Sequence, residues 1–205
     1  MKSGIDGLVV VDKPAGMTSH DVVDLLRRRF GQRRVGHAGT LDPDATGVLV
    51  VGLGRVTRLL RFCSALDKSY VGEFVLGVET TTLDASGQVI ARHDMGHVRP
   101  EDVGRVAASF IGTISQVPPM VSAVKVGGRR LHELARQGLE VERPARSVRV
   151  DRFEVTPIEG EPGAFRFRVD CSSGTYVRTL VADLGRALGG GAHLRSLRRV
   201  AIGPF

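Results

Sequence analysis

Tryptophan is absent from this 205-residue chain, tyrosine occurs only at positions 70 and 176, and aromatic residues make up 5% of the whole. The core cannot be built mainly on large aromatic plates, so each Tyr stands out as a flat apolar surface with a polar tip. Cysteine is equally scarce. Cys63 and Cys171 lie far apart, and the histidines at 20, 37, 93, 97, 132 and 193 form no close Cys/His pairs with them. That argues against a disulfide framework and against a metal site, and reads the two as reduced core thiols. Apolar runs never approach ~18 residues and the N-terminus lacks a signal-peptide pattern, which disfavours membrane insertion and secretion and points to the cytoplasm. Repeats, low-complexity segments and a linker between independent domains are missing as well, so residues 1–205 read as one domain.

Acidic residues are outnumbered, 22 against 29 Lys and Arg, which leaves a formal charge of +7 and an isoelectric point near 10.2. The basic residues gather at 27–29, 33–34, 129–130 and 195–199. Such a surplus implies an anionic partner, either nucleic acid or a membrane surface. The hydrophobic content of 42% suits a soluble globular core.

The chain is organised around the stretch 36–50, GHAGTLDPDATGVLV. Gly36, Gly39 and Gly47 read as positions with backbone angles that other residues resist. Pro43 forces Asp42 into an extended conformation, and Val48 to Val51 reads as a buried strand. A carboxylate fixed at the lip of a core strand, with His37 five residues upstream, suits a nucleophile or electrostatic stabiliser. Asp-Pro and Asp-Ala-Thr-Gly are also ordinary turn chemistry, which is the competing reading of Asp42.

Elsewhere, residues 7–13 read as a buried strand stopped by Pro14. Thr18 and Asp21 form a capping box for a helix with the apolar face Val22, Val23, Leu25, Leu26 and Phe30, ending at Gly31. Gly52-Leu53-Gly54 precedes a helix with Val56, Leu59, Leu60 and Cys63 at helical spacing, but without a full G-x-G-x-x-G pattern and an acidic partner it is no dinucleotide site. Residues 68–77 alternate as a strand, followed by a hairpin-like loop at 80–88 that leads to a strand at 89–91. Pro100 opens a helix through Phe110, and a short helix is expected at Leu131 to Gln137. Strands are expected at 147–155 and 164–171. In the second, Phe165, Phe167 and Val169 face inward while Arg166, Arg168 and Asp170 face out. A helix then carries the stripe Val177, Leu180, Val181, Leu184 and Leu188, with Arg178 beside that stripe. Strands and helices do not alternate regularly enough for a doubly wound sheet, so the class read from the residues is α+β.

The run G-H-x-G-T-L-D-P-x-A-T-G-V-L resembles the active-site motif of the TruB family of tRNA pseudouridine synthases. Lys13-Pro14, K-x-Y at 68–70, T-x-D-x-x-G at 82–87, residues 116–125, G-T-Y-x-R-x-L at 174–180 and residues 193–200 resemble further family segments in order. The family commonly has a tyrosine where this chain has Val121. The resemblance implies a mixed, largely antiparallel sheet flanked by helices around a central RNA-binding cleft. It implies isomerisation of a T-loop uridine of tRNA, at position 55, to pseudouridine without a cofactor, by a monomer that binds the T-arm and needs no protein partner. Asp42 takes the catalytic role and Arg178 keeps it ionised. Tyr70 stacks on the extruded base and Leu197 supports its other face. His37 wedges into the RNA loop, Lys13 orders the pocket, and Arg58 lies near the substrate backbone. Asp84 contacts a flipped neighbouring nucleotide, and Tyr176 completes the substrate-binding set. Relatives usually continue into a C-terminal RNA-binding module of the PUA type, which this chain is expected to lack. Two other readings stand beside this one: an RNA-binding or RNA-chaperone protein, and a hydrolase built on Asp42 and His37.

Overall fold

A computed structural model describes residues 4–122, 125–126, 129–130, 137, 139 and 141–205. In chain order its elements begin with β1 (Gly7–Lys13), α1 (Ser19–Phe30), β2 (Val35–Ala38), β3 (Thr46–Leu53), a 3-10 helix (Gly54–Leu59), α2 (Leu60–Ala65), β4 (Lys68–Leu76), β5 (Val78–Thr80) and β6 (Val89–Arg92). They continue with α3 (Pro100–Ser109), β7 (Gly112–Gln116), β8 (Lys125–Val126), β9 (Arg129–Arg130), β10 (Arg146–Pro157), β11 (Ala164–Cys171), α4 (Val177–Ala187) and β12 (Ala192–Ile202). The pairings are largely antiparallel, as expected for this α+β class. Two compact units share the chain: Met1–Val71 with Leu197–Phe205, and Gly72–Ser196.

β3 is the spine of the first unit. β1 runs antiparallel to it from Gly7↔Leu53 to Lys13↔Gly47. Along its other edge, β12 pairs in parallel at Arg198↔Thr46 and Arg199↔Gly47, and β2 pairs antiparallel from Val35↔Leu53 to Ala38↔Val50. Both faces of β3 are covered. Leu49, Val51 and Leu53 pack with Val22, Val23 and Leu26 of α1, while Val50 packs with Ala38, Leu60 and Cys63. That two-sided burial explains the unbroken apolar run, and each such side chain contributes roughly 1.5–3 kcal/mol. α1 forms as its sequence dictates. The Thr18 hydroxyl accepts from the Asp21 amide, Asp21 accepts from the Thr18 amide at 2.8 Å, and Gly31 caps the C-terminus at φ 60°.

Several expectations need correction in this unit. β1 is an edge strand whose Leu8 and Val10 are 41% and 51% exposed, because only β3 pairs with it and one of its faces is open. An apolar run does not by itself distinguish that case from a buried strand. Leu25 and Leu59 are exposed as well. Residues 54–59 wind as a 3-10 helix, whose period of three turns Leu59 away from the side that buries Leu60. Gly36 needs no positive φ. It lies in β2, where a Cβ would come within 3.3 Å of Leu60 Cδ1.

In the second unit β7, β10 and β11 form an antiparallel sheet. Phe74 stacks on Phe165 at 5.3 Å, and Phe153 meets Phe167 edge-on at 6.4 Å, so four phenylalanines cluster here. The inward face of β11 is buried as its alternation requires. α3 starts at Pro100 as expected, with Val103 and Ala107 buried. β6 pairs with β5 and not with β4, because the chain breaks at Gly77, φ 80°, before the hairpin begins. The helix expected at Leu131 to Gln137 lies outside the described residues.

Candidate active site

Asp42 sits half-buried in the loop between β2 and β3, whose backbone is held at nearly every step. Its carbonyl accepts from the Ala45 amide at 3.1 Å, closing a four-residue turn with Pro43 in the second position. On one side of it, the Ser19 hydroxyl brackets Leu41, accepting from the amide at 2.9 Å and donating to the carbonyl at 3.2 Å. On the other, the Pro43 carbonyl accepts from Lys13 Nζ at 2.8 Å and from the Gly16 amide at 3.0 Å. The buried guanidinium of Arg199 ties the loop's ends together. Its Nη2 donates to the Gly39 carbonyl at 3.0 Å and its Nε to the Val48 carbonyl at 2.7 Å. Gly47, φ 101°, passes so close to β12 that a Cβ would lie 2.1 Å from the Arg199 carbonyl oxygen. The loop therefore presents its carboxylate from a backbone that does not need to reorganise.

Lys13 is wholly buried at the end of β1, and its ammonium also donates to the Pro14 and Met17 carbonyls at 2.8 and 2.6 Å. Burial pushes its pKa below the usual lysine value, while the carboxylates of Asp44 and then Asp42 pull it back up. His37, on β2, lies opposite Val51 of β3. Burial, with help from the charges of His20 and Arg199, lowers its pKa, and among the described residues its Nδ1 has no hydrogen-bond partner. The ring is thus held neutral. Tyr70 is buried on β4, Leu197 is half-buried on β12, and Arg58 is exposed on the 3-10 helix. These six residues belong to the first unit.

Arg178, Tyr176 and Asp84 belong to the second unit. Arg178 is expected beside the core-facing stripe of its helix, yet it is as buried as Val177, Leu180, Val181 and Leu184, since α4 is covered over most of its circumference, while Leu188 falls past the helix end and is only half-buried. Its Nη1 donates to the Thr82 carbonyl and its Nη2 to the Val121 carbonyl, both at 2.9 Å, and Asp84 Oδ2 lies 3.5 Å from Nη1. Asp84 Oδ1 in turn accepts from the hydroxyls of Thr82 and Ser86, each at 2.6 Å, and from the Ser86 amide at 3.1 Å. Tyr176 is the residue before α4. The buried Gln116 side chain accepts from its amide at 2.7 Å and donates to its carbonyl at 3.1 Å, which sets the start of that helix.

Ser19, Gln116 and Arg199 were not legible as site residues. Ser19 follows a better cap residue, and Arg199 sits in a basic run that reads as an outward cationic surface. Only burial separates it from Arg198, which is exposed and pairs with Asp12 at 2.8 Å.

Two solved structures share this fold. A chain of the structure described as "Crystal Structure of a Cbf5-Nop10-Gar1 Complex" matches with TM-score 0.74 and 35% identity over 97% of this chain and 49% of that one. A chain of an H/ACA RNP bound to a substrate RNA containing 2'-deoxyuridine matches with TM-score 0.70 and 31% identity, over 97% of this chain and 48% of that one. The model of the TruB family pseudouridylate synthase N-terminal domain matches residues 27–177, and that of the tRNA pseudouridylate synthase B C-terminal domain matches residues 178–205. The tRNA pseudouridine synthase B of Mycobacterium sp. (strain KMS) is 55% identical over 97% of this chain and 68% of its own length. That of Syntrophotalea carbinolica is 50% identical over 98% and 65%. The chain belongs to the TruB family of pseudouridine synthases, and its reaction is the isomerisation of uridine to pseudouridine in tRNA.

Proposed function

We propose that the substrate is the uridine at position 55 in the T-loop, that the protein grips the T-arm, and that Asp42 is the catalytic carboxylate. The observation that carries this reading is the loop on which Asp42 stands, pinned at Gly39, Leu41, Pro43 and Val48 by side chains from β1, α1 and β12. The reaction breaks the N1–C1′ bond, turns the detached uracil and joins C5 to C1′. C5 loses its proton and N1 gains one, so redox state is unchanged and the proposed chemistry needs no cofactor. It needs an ionised carboxylate at the sugar or base, a base extracted from its stack, and a pocket that keeps water from the intermediate. Attack at the ribose, attack at the ring and proton abstraction all begin from the same ionised Asp42.

The other roles belong to the same proposal. Tyr70 stacks on the uracil and Leu197 supports its second face. The neutral ring of His37 suits a wedge that occupies a vacated stacking position better than a proton carrier. Lys13 fixes the loop, and Arg178 favours the ionised form of Asp42. Asp84 meets a neighbouring flipped nucleotide, Tyr176 lines the substrate set and Arg58 meets a phosphate. The protein acts as a monomer in the cytoplasm. Among the described residues no helix is long and apolar enough to cross a membrane.

Asp42→Asn tests the central claim, because Asn keeps the shape but is a very poor nucleophile or base. The variant should bind T-arm RNA within a few-fold of wild type and make no detectable pseudouridine, read as carbodiimide-resistant uridine adducts in tRNA. Conversion near the wild-type rate would return Asp42 to the role of a turn residue.

A further inference from the structure

The helical segment 54–65 carries an exposed surface of which the roles assigned above use only Arg58. In a 3-10 helix residues three apart eclipse, which sorts side chains into rows, and i,i+3 neighbours stay adjacent as the segment passes into α2. The inner row is Thr57, Leu60 and Cys63, the last two buried in the core. The second row is Arg55, Arg58 and Arg61, all exposed. In the third, Leu59 and Phe62 are 52% and 58% exposed. Arg61 lies over the Phe62 ring, 4.7 Å from its centroid, so cation and aromatic form one surface. Residues 54–66 contain no acidic residue. Asp6 accepts from the Arg55 amide at 2.6 Å, and the Nε of exposed Arg34 donates to the Thr57 hydroxyl at 3.2 Å.

We propose that this face is a second RNA platform, on which Phe62 and Leu59 receive an unstacked base while Arg55, Arg58 and Arg61 neutralise the phosphates of the same strand. Large apolar side chains are exposed at a cost in solubility that a partner offsets, and the charge decides which partner. A row of three guanidiniums spaced about 6 Å per turn, with no interleaved acid, fits a polyanion. The Phe62 ring beside that row supplies the π-face on which any base can stack. A protein partner would have to match the charges with acids, and a second copy of this basic surface would repel it. The proposal rests on tRNA being the substrate and adds a contact away from the Asp42 loop.

The test is equilibrium binding of an unmodified tRNA transcript by the intact chain across a salt series. Phe62→Ala should weaken binding about 10-fold, within the range of base–aromatic stacking, and Phe62→Tyr should stay within about 2-fold of wild type. Changing Arg55, Arg58 and Arg61 together to Gln should lower the slope of log affinity against log salt by about 2 to 3. Equal affinities for wild type, Phe62→Ala and Phe62→Tyr, or an unaltered salt slope in the triple variant, would overturn the proposal. So would a dimer seen by sedimentation that Phe62→Ala dissolves without loss of RNA affinity, since the occupant would then be a second copy. Pseudouridine formation by the wild type in the same transcript checks the substrate assignment separately, so the two ideas can fail independently.

Discussion

Lys13 shows how much one side chain can organise. Its ammonium holds three carbonyls, those of Pro14, Met17 and Pro43, and so ties the end of β1 to the residue following Asp42. Lys13→Met keeps the buried stem and removes every donor, leaving three partly buried carbonyls each short of a partner. We expect a loss of about 2–4 kcal/mol, read from the denaturant midpoint, with turnover falling more than RNA affinity. His37 gives a pH signature. Its folded pKa lies below the unfolded value of about 6.5, so between the two the unfolded chain binds more protons and stability rises with pH. Acidification through that window destabilises the wild type. The variant His37→Gln, with nothing to titrate there, should lose less melting temperature between pH 7.5 and 5, and parallel curves would count against the buried neutral ring.

Among the elements, β11 was fully legible, and α1 was legible in its bounds and caps though not at Leu25, because local signals and tertiary demands agree there. The capping box, Gly31 and the strict alternation of residues 165–170 each suffice on their own. β1 and the 3-10 helix were less so, because an apolar run records what a strand can bury and not how many neighbours it obtains. Glycines divide in the same way. Gly47 is required by its φ of 101° and by the Arg199 backbone, so Gly47→Ala should cost more than about 2 kcal/mol and disturb the loop that carries Asp42. Gly104, inside α3 with nothing within 4 Å of an added Cβ, should instead gain about 0.5–1 kcal/mol on substitution by Ala. Thermal melts of the two variants check both signs.

Over the whole molecule the charge is uneven. The first unit holds 13 Lys and Arg against seven Asp and no Glu, a surplus of six out of the chain's seven. Binding of tRNA should therefore weaken steeply with salt, with a slope near 0.9 per neutralised phosphate in duplex-like regions. An affinity flat from low to physiological salt would remove the electrostatic basis for that grip. Composition and motif order were enough to establish the family, the α+β class and Asp42 as the residue to test, because the motif is local and its spacing survives without coordinates. What holds that residue was legible only in Lys13, which the resemblance named as ordering the pocket. Ser19 and Lys13 precede it by 23 and 29 positions and Arg199 follows it by 157. Serine, lysine and arginine look alike whether they face water or close a hydrogen-bond network. Burial alone separates these cases, and it arises only when β1, α1 and β12 fold against β3, which is why the support of the site was decided by tertiary structure.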